Sequence, residues 1–129
     1  MELSDQNLKE NITPISNSLD KVKAISGNTF TWKTGSDVTL NHDSLVGNDI
    51  GVIAQEVEAL GLVGITTNYY GTEYKAVRYD KLIPILIEAI KELSAKVDTL
   101  ESMAHPKPTG KTQKRNEDRL DALENKINN

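Results

Sequence analysis

Six apolar residues, Ile83, Leu86, Ile90, Leu93, Val97 and Leu100, follow one another at spacings of 3, 4, 3, 4 and 3. That is a heptad seam held for nearly three repeats, and it constrains the fold more than any other stretch. Asp80 stands where a helix cap belongs, and Pro84 is tolerated in a first turn, so the spacing predicts a helix over 80–103. A helix of this length spans about 30 Å. Alone in water it would leave its whole seam wet. Burying six such side chains between chains is worth on the order of 10 kcal/mol before ordering costs, so the seam predicts self-association. The mixture of Ile, Leu and Val leaves two strands against three open. Leu82, Ile85, Ile87 and Ala89 widen the stripe at the N-terminal end, where the helix is expected to touch a globular part of its own chain.

Composition sets the scale of that globular part. With 129 residues the chain has room for one domain with a modest core. Hydrophobic content of 37% and aromatic content of 5% are low, which points to a small or elongated fold that completes its core through partners. A net charge of -4 argues against nucleic acid as the main partner, because phosphate binding needs a basic face. The chain has no cysteine, hence no disulfide framework and no thiolate metal site. His42 and His105 lie far apart in loop-like sequence, so neither metal nor any other cofactor is expected. No apolar run approaches the roughly 18 residues of a membrane span, and no secretory segment is present. The chain reads as a soluble, cytosol-made protein.

The segments before the seam read as short elements. Asn17-Ser18 offers an N-cap for a short amphipathic helix carrying Leu19, Val22 and Ile25 and stopped at Gly27. Thr29–Lys33 alternates and places Phe30 and Trp32 on one face of a strand, for core packing rather than ligand stacking. Residues 34–50, rich in Gly, Ser, Asn and Asp, are expected to form a long loop, interrupted by a strand turn around Val38–Leu40. Gly51-Val52-Ile53 enters a short strand or turn, and Ala54–Leu60 a short helix ended by Gly61. Gln55, Glu56 and Glu58 invite an acid–base reading. A solvated helix face beside buried Val52, Ile53 and Val57 is the simpler one. Val63–Thr67 and Glu73–Tyr79 are expected to form a hairpin around Asn68–Gly71. Tyr74, Val77 and Tyr79 would not share a face, so some of them would meet a neighbouring chain. Beyond the seam, His105–Gly110 breaks the helix, and Lys107, Lys111, Lys114 and Arg115 form a basic linker patch. A second short helix follows from about Gln113, with Leu120, Leu123 and Ile127 in register.

Ser4 and Lys9 are the residue types of a hydroxyl nucleophile and its base. A serine hydroxyl is a poor nucleophile until a neighbouring base takes its proton. Lysine can be that base only when burial or another cation favours its neutral form. The few residues between them allow a turn that brings them together. Asp5 and Glu10 could orient Lys9 or relay protons, and could equally hold it charged and inactive.

Ser4-Asp5-x-x-Leu8-Lys9-Glu10-Asn11-Ile12 resembles the opening signature of the intramolecular chaperone auto-processing domain, the peptidase S74 family. Gly51-Val52-Ile53-Ala54-Gln55-Glu56-Val57-Glu58 resembles its central block. Tyr74–Tyr79, followed by Asp80–Pro84 and Leu86–Leu93, resembles its strand-then-long-helix ending. The three blocks, in order, cover about residues 4–100. The resemblance implies an α+β fold in which short strands and helices precede a long C-terminal helix that forms a trimeric coiled-coil-like bundle. Domains of this family close bacteriophage tailspikes, tail fibres, neck appendages and endosialidases. The expected parts are a remnant of upstream fibre or start at 1–3, a globular part at 4–79, the stalk helix at 80–103, a linker at 104–115 and a short helix at 116–129.

The resemblance further implies that the domain trimerises, registers three fibre chains during folding, and is then released by self-cleavage at Leu3–Ser4. Ser4 would be the nucleophile and Lys9 the base, in a single turnover with no action on other substrates. Its partners would be two copies of itself and the upstream β-rich part of the same polypeptide, with no nucleic acid and no membrane. Its setting would be the cytoplasm of an infected bacterium during virion assembly, and the released domain would be absent from the mature virion. The alternative is a purely structural trimerisation module. A hydrolase of outside substrates fits poorly, because little of the chain can build a pocket of converging polar groups.

Overall fold

The computed structural model describes residues 1–36, 44–105 and 118–126 and divides the chain into two units, Met1–Leu93 and Ser94–Asn129. The first unit is a mixture of helices and strands. In order it holds a 3-10 turn at Gln6–Leu8, helix α1 (Ser18–Lys23), strands β1 (Asn28–Thr31) and β2 (Asn48–Gly51), and helix α2 (Ala54–Glu58). Strands β3 (Thr66–Asn68) and β4 (Lys75–Val77) follow, then a second 3-10 turn at Tyr79–Lys81 that leads into helix α3 (Leu82–Ala104). The strands form two antiparallel pairs, β1 with β2 and β3 with β4.

The core is small. Val57 from α2, Ile65 ahead of β3, and Leu82 and Ile85 from α3 are buried together, with Ile15, Val22, Ile25, Val52, Leu62 and Val77 packed around them. Leu82, Ile85 and Ala89 are the buried residues of α3 and follow at spacings of 3 and 4, so one stripe of the helix faces its own chain. Ile87, expected on that stripe, is exposed. It lies two residues from both Ile85 and Ala89, which on a helix points it away from them.

Two caps differ from expectation. Asn17 occupies the N-cap of α1 in left-handed geometry (φ 52°) and its side chain makes no capping bond. Instead the Glu92 carboxylate of α3 accepts from the backbone N–H groups of Ser18 (3.0 Å) and Leu19 (2.7 Å). Asp80 does not cap α3: the chain enters through the 3-10 turn, Arg78 takes the cap position without a side-chain bond, and Asp80 lies inside the first turn.

The expected loop 34–50 ends in strand. Asn48, Asp49 and Ile50 belong to β2, with Phe30 opposite Asp49 and Thr29 opposite Ile50. Residues 37–43, including the turn expected around Val38–Leu40, lie outside the described residues. The second hairpin is shorter than expected. Val63 is fully exposed, whereas Ile65 is buried, and the turn is closed by Tyr69 N–H to the Tyr74 carbonyl at 2.8 Å. Tyr70 and Gly71 at the tip both have positive φ, which Gly71 adopts without strain.

In the second unit, residues 118–126 are helical and every described residue is exposed, including Val97, Leu100, Leu120 and Leu123. The basic linker patch and Ile127 lie outside the described residues.

Candidate functional site

The 3-10 turn at Gln6–Leu8 determines where the N-terminal polar groups point. Asp5 is its N-cap, in extended geometry, and its Oδ1 accepts from Asn7 N–H at 2.8 Å. Leu8 N–H and Lys9 N–H close the turn on the Asp5 and Gln6 carbonyls, each at 3.1 Å. Lys9 then leaves in extended geometry. The turn folds the segment back, and Lys9 Nζ donates to Ser4 Oγ at 2.6 Å. Ser4 and Lys9 therefore meet. Asp5 and Glu10 do not join them: Asp5 is engaged in the cap, and Glu10 forms no ion pair among the described residues. Both Ser4 and Lys9 are exposed, as is every residue from Met1 to Pro14, Leu3 at the expected scissile bond included. In this contact Lys9 Nζ donates to the hydroxyl. Taking the Ser4 proton uses the same contact in the reverse sense, with a neutral amine accepting.

The carboxylates of the central block have structural partners. Glu56 accepts from Ser26 N–H (2.9 Å) and Oγ (3.3 Å), tying α2 to the segment that follows α1. Glu58 pairs with Lys75 of β4 at 2.9 Å. Neither is arranged for acid–base work. Gly51 has a packing reason to be glycine: a Cβ there would collide with the Tyr79 hydroxyl and crowd Phe30. That hydroxyl accepts from Val52 N–H at 3.0 Å.

A groove of about 740 Å³ lies between the two strand pairs. Five of the six aromatic residues of the chain line it: Phe30, Trp32, Tyr69, Tyr74 and Tyr79. Phe30 and Trp32 meet edge to face, with ring centroids 5.0 Å apart. Tyr74, Val77 and Tyr79 all line this groove: Tyr74 precedes β4 and Tyr79 follows it in the 3-10 turn, so strand alternation does not govern their placement. Ile53, expected in the core, is an exposed part of the same lining. The concentration of aromatics is visible only in three dimensions, since its members come from β1 and the residue after it, the β3–β4 turn and the second 3-10 turn.

The seam side chains sit on a different stripe of α3 from the buried one. Ile83, Leu86, Ile90, Leu93, Val97 and Leu100 are all 43–66% exposed. Among the described residues no helix is long and apolar enough to cross a membrane, and no group of three or more His, Asp or Glu side chains could hold a metal ion.

Residues 4–62 match the model of the peptidase S74 family, described as chaperone of endosialidase. The chain carries a peptidase S74 domain. The match begins at the serine of the Ser4–Lys9 contact and runs through α2 to Leu62. Membership of the family implies an intramolecular chaperone with autoproteolytic activity. Over 101 residues the chain is 32% identical to the long tail fiber protein Gp37 of Enterobacteria phage K3, and equally so to the Gp37 of Enterobacteria phage T2. The alignments take in 77% of this chain but 8% and 7% of those proteins, so the chain corresponds to a small portion of each.

Proposed function

We propose that this peptidase S74 domain is the chaperone portion of a phage tail fibre polypeptide. In this reading it assembles as a homotrimer through the α3 seam, holds three fibre chains in register while they fold, and is released by self-cleavage at Leu3–Ser4. The observation that carries the catalytic part is the 2.6 Å contact between Lys9 Nζ and Ser4 Oγ at the first residue of the family match. The exposed seam supports the trimeric part: six large apolar side chains on one stripe of α3 are each 43–66% exposed. Interleaved β-structure carries a large loop-closure entropy cost before its contacts form, and a helical nucleus that gathers three chains lowers that barrier.

The chemistry is an acyl transfer within one residue. Lys9, as neutral amine, takes the Ser4 Oγ proton while Oγ attacks the Leu3 carbonyl carbon. The tetrahedral species collapses with loss of the Ser4 nitrogen, which receives that proton from Lys9. Leu3 is then esterified on Ser4 Oγ and the Ser4 amine is free. Water hydrolyses the ester, leaving a Leu3 carboxylate and restoring the Ser4 hydroxyl. Asp5 acts through the cap that shapes the turn, and is a positioning residue. Cleavage after assembly removes the module that gathered the chains, so the fibre is held kinetically. The setting is the cytoplasm of the infected bacterium.

The exposure of Ser4 and Lys9 favours a second reading, a trimerisation module without catalysis, because a lysine base needs desolvation. Intact and native mass of a chain extended upstream by fibre sequence separates the two. Trimers with fragments beginning at Ser4 in the wild type, and uncut trimers in Ser4→Ala and Lys9→Ala, are expected. Uncut trimers in all three would leave only the second reading.

A further inference from the structure

The first unit carries an apolar arm without a seat and an apolar groove without an occupant. Leu8 and Ile12, on the arm, are 69% and 65% exposed, and Ile15 is the first arm residue packed on the core. The groove presents Phe30, Trp32, Ile53, Tyr69, Tyr74 and Tyr79. Three of its polar groups are already used internally: the Trp32 indole N–H donates to Asp49 at 3.1 Å, the Tyr79 hydroxyl accepts from Val52 N–H, and Lys75 pairs with Glu58. A slot walled mainly by aromatic rings suits aliphatic side chains better than a polar small molecule, which needs convergent unpaired groups.

We infer that the groove of one protomer is the seat for Leu8 and Ile12 of a second copy, so that the Ser4–Lys9 pair, formed within one chain, is covered only between chains. This rests on the self-association proposed above. Four observations favour that occupant. On its own protomer the arm stays exposed throughout. Measured from Ile15, which stays on its own core, Ile12 can reach about 10 Å and Leu8 about 23 Å, enough for a neighbour packed at the roughly 8–10 Å of contacting helices. The apolar surface also continues towards the seam, since a smaller cleft of about 230 Å³ shares Val52 with the groove and Leu86 with the seam. Finally, Glu2, Asp5 and Glu10 outnumber Lys9 on the arm, while Lys33 and Lys75 outnumber Asp49 on the groove lining. Docking would cover Lys9 from one side with a neighbour's aromatic rings. Burial of that kind favours the neutral amine that the proton transfer uses. A chain that has not assembled would then hold its own scissile bond uncut.

The chain has no cysteine, so single cysteines report the contact without background. Full-length Leu8→Cys and Tyr74→Cys chains, distinguishable by tag, are co-expressed and mildly oxidised, with native mass recorded in parallel. The expected result is a disulfide-linked pair containing one chain of each kind, with each chain expressed alone remaining a free thiol. A second readout uses Trp32, the single tryptophan: Leu8→Asp/Ile12→Asp should keep the oligomeric mass while its Trp32 emission shifts to the red. Oligomers with no mixed disulfide and no emission shift overturn this inference and leave the proposed assembly standing. Monomeric mass for the unsubstituted chain overturns both.

Discussion

Glu92 offers the most direct test of how the first unit is held together. Its carboxylate takes one oxygen to Ser18 N–H and the other to Leu19 N–H, at the start of a helix of six residues whose own N-cap side chain is idle. Hydrogen bonds to a charged acceptor contribute about 1.5–3 kcal/mol each when sheltered, and a side-chain N-cap about 0.5–2 kcal/mol. Glu92 is half-buried, so solvent screening places the pair near the lower end. Glu92→Ala is expected to cost about 2–3 kcal/mol, and Glu92→Gln, which keeps one acceptor and loses the charge facing the helix dipole, about 1 kcal/mol. In melting temperature the larger loss corresponds to a fall of roughly 10 °C for a unit of this size. The assay is urea unfolding followed by far-UV circular dichroism at one fixed chain concentration, because self-association links stability to concentration. Hydrogen exchange at the Leu19 amide locates the effect. Asn17→Gly is the control: glycine accepts the left-handed backbone there and no capping bond is lost, so stability should change by less than about 0.5 kcal/mol. If Glu92→Gln matches the wild type, or Asn17→Gly costs as much as Glu92→Ala, the long-range cap is not what stabilises α1.

Other perturbations separate core, close approach and seam. Gly51→Ala should cost about 1–3 kcal/mol through collision with Tyr79, and adding Tyr79→Phe should recover part of that loss, giving a coupling in a double-mutant cycle; strict additivity in urea unfolding would show that the two do not meet. Ile85→Ala should cost about 2–5 kcal/mol, because Ile85 is fully buried in the core cluster. Ile90→Asp, on the exposed seam, should leave the far-UV spectrum of the globular unit intact while lowering the native mass; an unchanged mass would remove the seam from the assembly. Ser4→Ala should stop release in an upstream-extended chain without altering its oligomeric mass.

What could be read in the sequence is what local rules decide. α2 and its stop were legible because Ala54–Glu58 is followed by Gly61, which adopts a φ of 72°. The proximity of Ser4 and Lys9 was legible as a turn across five residues, while the use of Asp5 as the cap of that turn was not drawn from its position. Strand β2 was missed because Asn48 and Asp49 have low strand propensity and are held there by pairing with Thr31 and Phe30. The cap of α1 was misassigned because its true partner lies more than 70 residues away, beyond the reach of any window. Asp80 looked like a cap because its residue type favours that position, whereas the 3-10 turn at Tyr79–Lys81 encloses it. The groove was invisible because its aromatics are scattered from Phe30 to Tyr79.

The origin of the buried residues sets a timetable. Of the five buried apolar residues among those described, Leu82, Ile85 and Ala89 come from α3, and the cap of α1 comes from Glu92. Glu92 follows Ile15 by 77 residues. At translation rates of about 5–20 residues per second, roughly 4–15 s separate their synthesis. Throughout that interval the platform under the Ser4 arm lacks most of its interior, and Ser4 itself has already been made. The long helix thus works as a delay line for the globular unit, whose interior closes only after every element before α3 has left the ribosome's active centre.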